Sequence, residues 1–124
     1  MSDVRTCPCG SGEAFDRCCA PVLADVRAAP TAERLMRSRY TAFSLGDRAH
    51  LLASWHPTTR PDDLELDDLE WLGLTIVDVV PGGPWDDEGV VEFVARYRGA
   101  SRGRIHERSR FVRERGRWLY VDGS

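Results

Sequence analysis

Four cysteines stand near the start of the chain: Cys7, Cys9, Cys18 and Cys19, spaced C-x-C-x8-C-C, with none after Cys19. Thiols this close in sequence can do one of three things. They can close two disulfides, they can work as a redox pair, or they can wrap a metal ion. A cytosolic chain with enough residues for a core has no need of disulfides. Neither C-x-C nor C-C is the usual C-x-x-C redox arrangement at a helix start. Four thiolates complete the tetrahedron of a structural Zn2+, with no position left open for catalysis. Gly10 and Gly12 between the pairs let the backbone turn sharply, so that its N–H groups can reach the sulfurs. Phe15 supplies one apolar residue with which so small a module can dock on its host.

The run Cys7-Pro8-Cys9-Gly10-Ser11-Gly12, followed by Phe15 and Cys18-Cys19, resembles the SEC-C motif. This is the small zinc module found at the C-terminal end of the SecA translocation ATPase. The motif ends Cys-His or Cys-Cys, and this chain has the all-cysteine form. The resemblance implies one structural Zn2+ held by Cys7, Cys9, Cys18 and Cys19, and a role in contacting other proteins. It assigns residues 1–22 to the zinc module and 23–124 to a second domain.

Residues 20–30 lie between two proline-containing stretches and leave room for a helical turn or two. Thr31 is a good helix N-cap, Glu33 suits the positive end of the helix dipole, and Gly46 is a C-cap, so a helix is expected between them. Asp47 can cap a second helix running through His50, Leu51, Leu52 and Trp55 to a stop at Pro57. The acidic segment 61–70 reads as an exposed loop or short helix. Four strand signals follow, at 74–80, 89–98, 104–111 and 118–121, with a turn at Pro81-Gly82-Gly83-Pro84. Helices followed by an antiparallel meander make an α+β fold, with helices packed on one face of a curved sheet.

A second resemblance covers nearly the whole chain. Leu35 to Phe43, Ser54 to Arg60, Val91-Glu92-Phe93, Glu107 to Phe111 and Trp118 to Gly123 are similar to the signature of the YchJ family of small bacterial proteins. In that family a SEC-C module precedes a cone-shaped domain like nuclear transport factor 2. Some relatives carry a second, C-terminal SEC-C copy that this sequence does not contain. Cone folds of this kind often enclose a ligand cavity, and dimerisation through the sheet is common among them.

Strand alternation puts Phe93, Ala95 and Tyr97 on one inward face, and Ile105, Glu107, Ser109 and Phe111 on another. Glu107 and Ser109 are polar residues on a core-facing surface, so they need partners. Arg37, Arg39, Tyr40, His56 and Trp118 are the candidates. One reading makes these seven residues a small-molecule pocket with Glu107 as base or acceptor. The other has Arg37 or Arg39 pair with Glu107 and lock helix to sheet. His56 is either a rim residue or a plain surface histidine, and His50 is an ordinary helical residue. No serine-nucleophile or phosphate-loop motif is present.

The opposite sheet face carries Arg96, Arg98, Arg104, His106, Arg108 and Arg110. Such a stripe can grip RNA phosphates, or can be a solvated face balanced by the acidic segment. The net charge of -3 over 124 residues, with all 17 basic residues arginine, gives no overall pull toward nucleic acid. No apolar run approaches the roughly 20 residues of a bilayer span, and no apolar signal segment leads the chain. The expectation is a cytoplasmic zinc protein that acts as a non-enzymatic adaptor for another protein. The alternatives are ligand binding or catalysis at the Glu107 pocket, RNA or ribosome binding, and a homodimer.

Overall fold

A computed structural model describes residues 5–66, 69–81 and 85–124. It has a 3-10 turn at Phe15–Arg17, helix α1 (Cys19–Ala24), a second 3-10 turn at Val26–Ala28, then α2 (Ala32–Leu45) and α3 (Arg48–Ala53). Strands β1 (Glu70–Val80), β2 (Glu88–Arg98), β3 (Arg102–Glu114) and β4 (Arg117–Gly123) follow. The strands form one antiparallel meander in the order β1-β2-β3-β4. The fold is α+β, as the sequence pattern requires. Asp67 and Asp68 of the acidic segment, and Gly82 to Pro84 of the expected turn, lie outside the described residues. Residues 61–66 are loop.

The caps of α2 set its length. Thr31 Oγ1 accepts from the Arg34 N–H at 3.2 Å, and Gly46 closes the far end at φ 75°, where the absence of a Cβ removes the strain. Asp47 then accepts from the His50 N–H and starts α3. This helix stops at Ala53, short of the expected Trp55. The backbone there is taken by β4: the Tyr120 N–H donates to Ser54 O at 2.8 Å and the His56 N–H to Tyr120 O at 2.7 Å. A strand edge that satisfies these groups competes successfully with another helical turn.

Eight residues of α2 are buried, including Leu35, Met36, Ser38, Arg39, Tyr40 and Thr41. The helix sits between the N-terminal module and the sheet, so little of its circumference is left to water. The cysteines belong to the same continuous core as Leu35, Leu74, Val91, Phe93, Phe111 and Trp118. Helix α1 runs through residue 22, the boundary expected between module and domain, and joins the two.

Each strand is longer than its hydrophobic run. β1 begins at Glu70, and β3 extends to Glu114. Phe93, Ala95, Ser109 and Phe111 face inward and are buried, Tyr97 is half-buried, and Ile105 is 41% exposed although it shares their face. That exposure marks the open end of the space beneath the sheet.

His50 is buried, where the sequence marks it only as helical. Its Nε2 bonds to Ser38 Oγ at 2.9 Å, while Ser38 donates to Leu35 O. Burial, and then the positive Arg39, lower its pKa from 6.5 to about 4, against a smaller opposing pull from Asp47. The unfolded chain takes up this proton near pH 6.5 and the folded chain only near pH 4. Stability is therefore fully present above pH 6.5 and falls through the interval down to 4, by about 3 kcal/mol at most. A His50→Gln variant should show a shallower loss of melting temperature across that interval than the parent protein.

Candidate metal centre and cavity

The turn between the cysteine pairs is held by backbone bonds. The Cys7 N–H donates to Glu13 O at 2.9 Å and the Gly10 N–H to Cys7 O at 3.2 Å. This closes a loop with Cys7 and Cys9 on one side and Cys18 and Cys19 at the start of α1 on the other. All four side chains are buried, and their sulfurs lie within 4.8 Å of one another. The cysteines are free: Cys9 Sγ and Cys18 Sγ stand 3.6 Å apart, far beyond a covalent S–S bond of about 2.05 Å. A tetrahedron built on metal–sulfur bonds of ~2.3 Å has edges of ~3.8 Å, so the donor set fits a metal ion in both type and spacing.

Electrostatics support the same assignment. The Cys19 thiol, bonded to Cys9, brings Cys9 down to about 4. The same bond, and then burial, push Cys19 up, and burial raises Cys18. The cluster tolerates one thiolate on its own and resists the rest, because like charges this close repel in a low-dielectric setting. A dication removes that conflict.

Polar groups from the loop itself and from α2 complete the surroundings. Ser11 Oγ lies 3.2 Å from Cys18 Sγ, and Thr41 Oγ1 donates to Cys19 Sγ at 3.3 Å. Arg37 Nη1 donates to Cys9 O at 3.0 Å and reaches Cys9 Sγ at 3.8 Å, with Nε on Glu33 at 2.9 Å. Arg34 Nη2 donates to Cys18 O. Arg34, Arg37 and Thr41 recur at helical spacing on one face of α2. Thr41 and Ser11 are missed by sequence reasoning, although the i, i+4 relation of Arg37 and Thr41 was there to find them.

On the other side of α2 lies a cavity of about 230 Å³. Arg39, Tyr40, Glu107 and Ser109 line it, as the sequence expects. Trp55, Trp71, Phe93 and Tyr120 form much of its aromatic wall, with Ile105 among its other lining residues. Three expected members are elsewhere. Arg37 serves the thiol cluster. His56 bonds to Thr58 Oγ1 at 2.7 Å and Glu114 Oε2 at 3.0 Å. Trp118 is buried in the core, with the Arg113 guanidinium 5.6 Å from its ring.

Neither arginine makes an ion pair with Glu107 among the described residues. Arg39 Nη1 donates to Leu51 O at 2.9 Å and Ser54 Oγ at 2.6 Å, and its guanidinium lies 5.0 Å from the Trp55 ring and 4.4 Å from Tyr120. Burial lowers its pKa to about 10, which leaves it charged at neutral pH. Glu107 instead accepts from Ser109 Oγ at 3.1 Å and lies over Gly123, where any Cβ would collide with it.

The outward arginines form a ladder with carboxylates. Arg98 pairs with Glu70, His106 with Glu92 at 2.6 Å, Arg108 with Glu92 at 2.7 Å and Asp78 at 3.6 Å, and Arg110 with Asp122 at 2.6 Å. Arg96 and Arg104 are exposed, and the Arg96 guanidinium lies close over Gly73. Among the described residues no helix is long and apolar enough to cross a membrane.

Residues 31–123 match the family described as YchJ, middle NTF2-like domain, and residues 6–21 match the SEC-C motif. A UPF0225 protein of Streptomyces coelicolor is 51% identical, over 94% of this chain and 93% of that protein. One of Chromobacterium violaceum is 52% identical, over 94% and 90%. Among solved structures, a SEC-C motif containing protein from Rhodopseudomonas palustris superposes with a TM-score of 0.83 at 37% identity, covering 97% of this chain and 98% of that one. A sec-c motif containing protein from Psychrobacter arcticus gives 0.78 at 26%, covering 96% and 81%.

Removing a hydrogen bond to a bound thiolate weakens metal binding without touching a ligand. Thr41→Val and Arg37→Gln should each lower metal affinity about 10–100-fold, read by competition with a chromogenic chelator.

Proposed function

The chain belongs to the YchJ-type NTF2-like family with an N-terminal SEC-C motif, and from that premise we propose that it is a zinc-stapled ligand-binding protein. Zn2+ suits the four-thiol donor set, and Cys7, Cys9, Cys18 and Cys19 would hold it. Four protein ligands fill the coordination shell, so the metal supplies structure and not an open site for chemistry. Its binding free energy would then be folding free energy for the core that the thiols share with α2.

The working site in this reading is the cavity under the sheet. One observation carries it: a buried guanidinium and a half-buried carboxylate line the same aromatic space without pairing to each other. Polar groups left open in a concave apolar site are what a small ligand uses for orientation.

A second reading, a protein docking on the zinc loop, is favoured by the exposure of Gly10 to Glu13 between buried cysteines. Glu13→Arg changes that surface without touching the core. A discrete protein captured by the parent chain and lost with Glu13→Arg would favour the adaptor role.

Two measurements test the main reading. Metal analysis should find one zinc per chain, and its removal should lower the melting temperature of the whole body by more than about 10 °C. A module merely appended to the domain would leave that temperature unchanged. Ile105→Trp should plug the cavity mouth, so that small molecules seen by native mass spectrometry on the parent protein are absent from the variant. Equal retention by both would place the ligand elsewhere.

A further inference from the structure

The cavity has two poles. At one, both hydrogen bonds of Arg39 leave from Nη1, and its Nε and Nη2 hydrogens have no acceptor among the described residues. The Trp55 and Tyr120 rings flank the guanidinium at 5.0 and 4.4 Å. A guanidinium has five donors, and the three on Nε and Nη2 remain for a bound acceptor. At the other pole Glu107 is anchored by Ser109 and by its seat on Gly123, with acceptor capacity to spare. Tyr40, Trp71 and Phe93 line the space as well.

Charge narrows the choice of ligand. Among the described residues, Arg39 and Glu107 are the only charged members of the lining, one of each sign. A carboxylate ligand would satisfy Arg39 but face Glu107. An ammonium ligand would satisfy Glu107 but face Arg39. A neutral molecule with an acceptor and a donor on neighbouring atoms meets both. Size narrows it further, since about 230 Å³ falls below the ~300–1,000 Å³ of drug-sized pockets. Aromatic walls favour a flat ring.

We propose that the cavity is a recognition site for a planar, uncharged, single-ring molecule whose edge presents a carbonyl-type acceptor to Arg39 and an N–H or O–H donor to Glu107. This rests on the ligand-binding reading above. The open Nε and Nη2 edge of Arg39 in the same cavity as one anchored acceptor carries it.

The test is a charge series of one shape on the metal-loaded full chain: benzamide, benzoate and benzylammonium, followed by NMR with the Trp55 and Trp71 indole signals as reporters. Benzamide should bind the parent protein about tenfold more tightly than either ion. Glu107→Gln should weaken benzamide about tenfold and strengthen benzoate, so that benzoate overtakes it. If benzoate or benzylammonium is preferred by the parent protein, the neutral-ligand assignment is overturned while ligand binding stands. The same holds if a folded Glu107→Gln variant keeps the parent's order. If no compound moves a cavity signal that Ile105→Trp then silences, the ligand-binding reading falls with it. The preference of the parent protein is decisive even if the variant does not fold.

Discussion

Helix α2 is the constraint on which the rest of the structure depends, because it must satisfy polar groups on two opposite faces while buried between them. Arg34, Arg37 and Thr41 turn toward the thiol cluster. Met36, Arg39, Tyr40 and Phe43 turn toward the cavity. A helix repeats every 3.6 residues, so these two sets fall on different sides of the same cylinder. Neither face can rotate toward its own optimum without moving the other. The capped ends, Thr31 and Gly46, fix where along the chain that cylinder starts and stops.

This shared helix explains why the N-terminal module is not a detachable bead. Its thiols are packed in the same core as the sheet residues Val91 and Phe111. Charge on the sulfurs is met by α2 side chains, not by the module's own residues alone. An arginine of α2 donates to the backbone of Cys9 and reaches its sulfur, so the thiol cluster and the helix are one electrostatic unit. The thiol cluster and the cavity-lining face of α2 are thus parts of one packed unit.

The two sides of the sheet treat arginine in opposite ways. Outside, Arg98, Arg108 and Arg110 make exposed pairs with carboxylates, which water screens and which add little stability each. Such a ladder organises the surface and balances its charge. Inside, Arg39 has backbone, hydroxyl and aromatic partners but no paired carboxylate among the described residues. A buried cation without a paired counter-charge is retained at a cost, and Glu107 on the facing strand bonds to Ser109 and not to the arginine.

The local features of the chain were legible without a structure. The cysteine spacing, the glycines of the thiol loop, the caps at Thr31, Gly46 and Asp47, and the alternation that turns Glu107 and Ser109 inward are all properties of short stretches, and local stereochemistry dictates them. What crosses between elements was not. The end of α3 is decided by β4, which takes the backbone of Ser54 and His56. Arg37 and Arg39, two residues apart, serve different sites because helical geometry separates them by about 200°. Trp118 and His56 leave the expected pocket, and Trp55 and Tyr120 enter it, through the way strand and helix pack. The sequence by itself determined the cysteine cluster, the order of the main helices and strands and the inward turn of Glu107 and Ser109, because each depends on neighbours in the chain. Only the tertiary structure decided which polar groups meet and which stay open to a ligand, because that depends on distances between residues far apart in sequence.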